Sequence, residues 1–280
     1  MSTHFKRYSL LAAALVSAAF LSACSDEGKS AALQKTSQAA ASEDLLAQIK
    51  SRGSITIAME GTWSPWTYHD KTGKLTGFDV AVGERIAAKI GVKAQFIEGK
   101  WDGLLAGLDA GRYDLMINGV GITKERAAAY NFSDPYAYDR VAVIVGGDTT
   151  DIKTMQDLKG KTTANTISST YAEAAEQYGA RVIGADDLNQ TFELLRSKRI
   201  DATLNSEVTY VDYTKAHPEA NVKIALFTPQ VGEIGIPFKK SSSTDSLRKL
   251  VNETIAEMRA SGELSRLSVQ YFGLDITANK

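Results

Sequence analysis

One cysteine in 280 residues leaves no internal disulfide framework to hold this chain together. Only three histidines are present, and the two beyond residue 23, His69 and His217, are far apart. No metal cluster is implied. Lysine and arginine number 32 against 33 acids, which is no basic footprint for nucleic acid. No apolar run after residue 23 is long enough to span a bilayer. The familiar catalytic signatures are missing too: there is no G-x-S-x-G elbow and no P-loop. Gly119-Val120-Gly121 begins like a dinucleotide fingerprint, but Lys124 holds the third glycine's place. No cofactor is implied, and what stays open is a binding module or a carboxylate-driven enzyme.

What is there begins with an address. His4, Lys6 and Arg7 precede Tyr8 to Leu21, an almost wholly small and apolar run that suits a signal-peptide core. It ends in Leu21-Ser22-Ala23-Cys24, which resembles the bacterial lipobox, where cleavage precedes the cysteine and the thiol carries lipid. Residues 1–23 therefore read as a lipoprotein signal peptide and Cys24 as the lipidation site. Residues 24–43, rich in Ala, Ser, Gln and charge, read as a flexible tether. Removal of residues 1–23 leaves 30 basic and 33 acidic side chains, a formal balance of −3.

Beyond the tether, short β-branched runs alternate with helical patterns. Ile55–Met59, Ala94–Ile97 and Leu115–Asn118 read as strands. Between them, Phe78, Val82, Ile86 and Ile90 recur at helical spacing, as do Trp101, Leu104, Leu105 and Leu108. The pattern then restarts, with strands at Val141–Val145, Lys161–Asn165, Arg181–Ile183 and Asp201–Leu204, and two further strands at Val222–Leu226 and Ile234–Phe238. A long helix through Leu247–Met258 and a short one through Leu264–Tyr271 close the chain. Two α/β units of similar size predict two lobes with a ligand cleft at facing strand ends.

Several stretches carry a stronger signal together than alone. They are Glu60-Gly61-Thr62-Trp63-Ser64-Pro65-Trp66, Leu75-Thr76-Gly77-Phe78-Asp79-Val80, Lys100-Trp101-Asp102-Gly103-Leu104-Leu105 and Arg112-Tyr113-Asp114-Leu115. Gly121-Ile122-Thr123-Lys124-Glu125-Arg126, Tyr130-Asn131-Phe132-Ser133-Asp134-Pro135-Tyr136 and Asp157-Leu158-Lys159-Gly160-Lys161 follow. In this order and spacing the chain resembles the family-3 solute-binding proteins of ABC importers for polar amino acids, with most likeness to their cystine-type branch. The resemblance implies a periplasmic-binding-protein-like α/β fold. Lobe 1 would be residues 44–138 plus 235–280 and lobe 2 residues 141–230. Two strands near Asp139-Arg140 and Gln230–Glu233 would form the hinge about which the lobes close on a ligand. It also implies a membrane permease as partner, a small amino-acid-like ligand, a periplasmic or surface location on the lipid anchor, and a monomer.

The resemblance assigns the site residue by residue. Arg126 would fork the ligand's α-carboxylate, for which a guanidinium is geometrically suited; Thr123 reads as the cap of its helix. Ser169 and Thr170, with Ser168, would meet the same carboxylate from lobe 2 at a helix N-terminus. Trp63, Trp66 and Trp101 would form aromatic walls. Glu60 would touch the ligand's side chain or amine, and Gly119, through its carbonyl, and Gly121 would belong to the ammonium subsite. Two positions depart from the pattern at the ammonium subsite: Ser206 stands where many relatives have aspartate, and Gly121 where relatives often have Thr or Asp. A buried ammonium without a counter-charge is costly, so Glu207 or Glu60 is expected to supply it, the alternatives being the tryptophans with the Gly119 carbonyl, or a carboxylate ligand with a different amine or none. The alternative function is a cyclohexadienyl dehydratase-like enzyme on the same scaffold.

Overall fold

Ser54–Met59 is the middle strand of a three-stranded parallel sheet, flanked by Lys93–Glu98 and by Leu115–Met116. Ile55, Ile57, Ala58 and Met59 are buried, as a central strand covered on both faces requires. The edge strand Lys93–Glu98 instead exposes alternate residues. The helix Phe78–Ile90 sits on this sheet through Phe78, Val82, Ile86 and Ile90, the four residues at helical spacing, all buried. Gly91 ends it in the left-handed conformation, φ 84°. The helix Trp101–Asp109 forms a second small core with Ala58, Met116 and Val120.

A separate five-stranded sheet runs Val222–Ile234, Ala137–Gly146, Ala202–Ser206, Thr162–Asn165, Arg181–Gly184 in spatial order. Its first three strands are antiparallel neighbours, and the remaining pairings are parallel. Phe192, Leu195 and Tyr213 fill one core of this lobe, and Met155, Leu158 and Ala175 the other. The last helices, Asp245–Ala260 and Glu263–Phe272, return to the first sheet, where Leu247, Val251, Ile255 and Phe272 join the core of Ile55 and Ile57. The result is two α/β lobes.

The computed structural model describes residues 44–278. The expected signal peptide (1–23), the lipidation site Cys24 and the tether (24–43) lie outside the described residues. No helix among the described residues is long and apolar enough to cross a membrane.

One strand reading needs correction. The strand expected at Val222–Leu226 runs on to Ile234, pairing with Ala137–Gly146 from Val222 opposite Gly146 to Ile234 opposite Ala137. Its register shifts between Phe227 and Val231, a stretch that contains Pro229. Proline has no N–H to give a ladder, so the pairing breaks there and resumes. The second strand, expected at Ile234–Phe238, is instead Pro237–Lys239, which pairs with Tyr130–Phe132.

Candidate functional site

A cavity of about 340 Å³ lies between the two sheets. Eight of the expected residues line it: Glu60, Trp63, Trp101, Gly119, Gly121, Arg126, Ser169 and Thr170. Arg126 is placed by its own helix start. Thr123 caps Lys124–Ala129, its side chain accepting the Arg126 N–H at 3.1 Å. The guanidinium donates to the Gly121 carbonyl at 3.1 Å and, from the other lobe, to the Ser168 carbonyl at 3.0 Å. It also lies over the Trp101 ring, 5.3 Å from the centroid. These partners are neutral, and no carboxylate pairs with Arg126 among the described residues. Burial pulls its pKa below the usual arginine value.

Ser169 caps the helix Thr170–Gln177, accepting from the Ala172 N–H. A Cβ on Gly121 would lie 3.4 Å from Thr170 Cγ2 and 3.7 Å from Arg126 Nη1, so Gly121, Thr170 and Arg126 converge on one corner. Gly119 adopts φ 52°, and a Cβ there would stand 2.6 Å from the Trp63 ring. Only glycine fits both demands. Its N–H donates to Asp79 at 2.6 Å, and Asp79 in turn accepts from the Tyr136 hydroxyl at 2.8 Å. Burial raises the Asp79 carboxyl to about pKa 7.

Trp66, Ser206 and Glu207 stand apart from the cavity lining. Trp66 is fully buried, stacked on Trp63 at 5.3 Å and tilted against Phe272 at 4.8 Å. It backs the wall that Trp63 presents. Ser206 is also fully buried, with its hydroxyl donated to Asp139 at 2.5 Å. Glu207 opens the helix Glu207–Ala216 and is drawn to Arg140 at 3.3 Å, so its charge is neutralised away from the cavity.

The cavity also holds residues not anticipated from the sequence: Asp139, Tyr171, Asp187, Asn205 and Glu233 among them. Asp139 is 3 % exposed. Burial, partly offset by bonds from Ser206 and Tyr171, raises its pKa to about 7. Glu60 also rises to about 7, chiefly from burial, despite a 2.8 Å bond from Asn118 Nδ2. Four acids (Glu60, Asp139, Asp187, Glu233) thus face one cation, Arg126, among the described residues that line the cavity.

The lobes meet around this space. Trp63 Nε1 donates to Asn205 at 3.3 Å, Ser64 to Asp212 at 2.6 Å, and Ser168 to Asp102 through its N–H at 3.0 Å and its hydroxyl at 2.6 Å. Lys100 reaches Asp186 at 2.7 Å. The arrangement can enclose a small molecule carrying an anionic group at Arg126 and cationic groups toward the acids.

The family model for bacterial extracellular solute-binding proteins, family 3, matches residues 55–274. The chain belongs to this family. This family-3 protein is 39% identical over 235 residues to the L-cystine-binding protein TcyA of Bacillus subtilis, covering 84% of this chain and 87% of that one. The L-cystine solute receptor of Neisseria gonorrhoeae, in its unliganded open conformation, is 40% identical, with TM-score 0.58 over 84% of this chain and 99% of that one. An ancestral arginine-binding protein bound to arginine is 33% identical, with TM-score 0.73 over 79% and 99%. Identity and TM-score rank these two structures in opposite order.

Proposed function

We propose that this family-3 protein captures an amino acid, with L-cystine the first candidate, and delivers it to an ABC permease. The observation that carries the reading is the charge layout: an enclosed guanidinium without a carboxylate partner, facing acids across a cavity of about 340 Å³. That layout fits a dipolar ligand, with its carboxylate between Arg126 and the Ser169–Thr170 helix start. Excess acid favours a ligand with more than one ammonium or other cationic group, which cystine and the basic amino acids satisfy. The names of the relatives, cystine- and arginine-binding, point the same way. Lobe 1 comprises 44–138 plus 235–280 and lobe 2 residues 141–230. The hinge lies at Asp139-Arg140 and Gln230–Glu233, where the two long strands run side by side. The protein acts as a monomer and binder rather than as a dehydratase.

The test is thermal unfolding of residues 25–280, refolded from denaturant, against cystine, cysteine, all standard amino acids and prephenate. A ligand at about a thousand times its Kd adds roughly 4 kcal/mol, which raises Tm by several degrees. The expected result is a rise with cystine or a basic amino acid, and no aromatic product from prephenate by ultraviolet absorbance. Product formation would establish the enzyme reading instead.

Cys24 is proposed to carry the lipid that holds the protein at a membrane, on the strength of the leader and the Leu21–Cys24 sequence. In full-length protein expressed in bacteria, mass spectrometry should show residues 1–23 removed and a lipid mass on the fragment that begins at Cys24, whereas Cys24→Ser should keep residues 1–23 and carry no lipid. Absence of a lipid mass on the wild type would reject the anchor.

A further inference from the structure

We infer that Asp139 is the counter-charge for the ligand's ammonium group, with Ser206 and Tyr171 as its positioning residues. The inference rests on the reading that the ligand is an amino acid seated at Arg126.

Of the four acids on the cavity wall, Asp139 is the most enclosed, 3 % exposed. Two hydroxyls fix its carboxylate from two different elements. Ser206, on the neighbouring strand, donates to Oδ1 at 2.5 Å, and Tyr171, in the first turn of Thr170–Gln177, donates to Oδ2 at 3.1 Å. Both donors are neutral, so they orient the charge without cancelling it. A carboxylate has about four acceptor sites, which leaves capacity for an ammonium on the cavity side.

The cation next to Asp139 in sequence is committed elsewhere: Arg140 pairs with Glu207 at 3.3 Å and lies over the Phe227 ring at 3.8 Å. The other acids are less suited. Asp187 and Glu60 are only half-buried, and Glu233 is exposed. A further acceptor faces the same cavity: Asn165 Oδ1 is buried without a donor. Tyr171 ties the two ends of the site together, since its ring packs edge-on against Trp63 at 6.4 Å while its hydroxyl holds Asp139. Ser206 therefore acts on the ammonium through Asp139 rather than by contact, and the missing charge at that position is supplied by its hydrogen-bond partner.

The experiment is calorimetric titration of the wild type, Asp139→Asn, and the exchanged double variant Asp139→Ser with Ser206→Asp. The probes are L-cystine and 3,3′-dithiodipropionate, the same disulfide dicarboxylate without its amines. Removal of one partner from an enclosed charge pair weakens binding by about thirtyfold or more. Asp139→Asn should lose that much for cystine and stay within about threefold of wild type for dithiodipropionate. The exchanged variant puts the carboxylate at the other end of the same hydrogen bond and should recover most of the preference for the amine.

Undiminished cystine binding by Asp139→Asn overturns the assignment, and so does an equal loss of both probes, which would mark a structural role. Thermal unfolding shows that the variants are folded; at pH 8, where Asp139 is ionised, Asp139→Asn should melt no lower than wild type, because it removes a buried charge. If the wild type takes another amino acid instead, that compound and its des-amino analogue replace the two probes. A wild type that binds no amino acid at all would reject the amino-acid reading itself, and this assignment with it.

Discussion

Arg126→Met should cut affinity for any carboxylate-bearing ligand by about two to three orders of magnitude while leaving the protein folded. The side chain is the single cation among the described residues of the cavity wall, and its present partners are the carbonyls of Gly121 and Ser168 and the face of Trp101. None of these is a fork of two oxygens with a full charge, which is what a guanidinium binds best. Methionine keeps the length and the packing on Trp101 and removes the fork. Helix Lys124–Ala129 should survive, because Thr123 caps it through the Arg126 backbone N–H rather than its side chain. Arg126→Lys should fall between, since an ammonium offers a point charge without the paired geometry. With ligand at about a thousand times the wild-type Kd, a hundredfold loss lowers the stabilisation from roughly 4 to about 1.4 kcal/mol, so the thermal shift shrinks to about a third. A variant that binds like the wild type would move the carboxylate away from Arg126.

The helix start that places Arg126 was legible locally, whereas its role toward a carboxylate came from the resemblance and not from any local pattern. A threonine cap three residues ahead of an arginine is a local signal, and so are the i, i+4 apolar rows that place the helices on their sheets. What was less legible depends on contacts between distant parts of the chain. Trp63 and Trp66 look equivalent in sequence. Yet the chain reverses between Trp63 and Thr67, whose backbones bond to each other, and this stacks the two rings with one toward the cavity and the other in the core. Asp139 reads as a polar residue on a hinge strand. Its partners Tyr171 and Ser206 lie 32 and 67 residues further on, and neither pairing leaves a periodic trace. An acid beside an arginine at the start of an apolar strand, Val141–Val145, gave no sign of which of the two charges would be enclosed. Glu207 looked suitable because it follows Ser206, but the helix that begins there turns it toward Arg140. The break at Pro229 was equally present in sequence, since a residue without an N–H cannot continue a ladder.

The ligand-free protein should be more stable at pH 5 than at pH 8, by several degrees in Tm. Glu60, Asp79 and Asp139 all have carboxyls raised by burial to about 7, against ordinary values of 4.5, 3.8 and 3.8. An acid with a raised folded pKa holds its proton in the folded state over a range where the unfolded chain has released it. Stability from such a group is full below the unfolded value and is lost as pH rises through the folded value. The window is therefore about pH 4 to 7. Exposed acids work in the opposite direction but at lower pH: Asp148, Asp151 and Glu257, each beside a lysine, have lowered values and lose their contribution only as pH falls below about 4. Around Asp139, the titratable or charged groups on neighbouring elements are Tyr171, held well above its usual value, and Glu207, whose charge adds to the upward shift while Arg140 pairs with it. None of these reverses the sign. An ammonium placed against Asp139 would relieve part of the cost of its charge, so the ligand-induced rise in Tm should be larger at pH 8 than at pH 5. Asp79→Asn should flatten the pH dependence of the empty protein and leave that ligand difference in place, because Asp79 bonds Gly119 and Tyr136 rather than lining the cavity. Unfolding curves of the wild type and Asp79→Asn at pH 5, 6, 7 and 8, with and without ligand, decide the matter. An empty protein that gains stability from pH 5 to pH 8 would show that these three carboxyls are hydrated and ionised, and would remove burial as the source of their shifts.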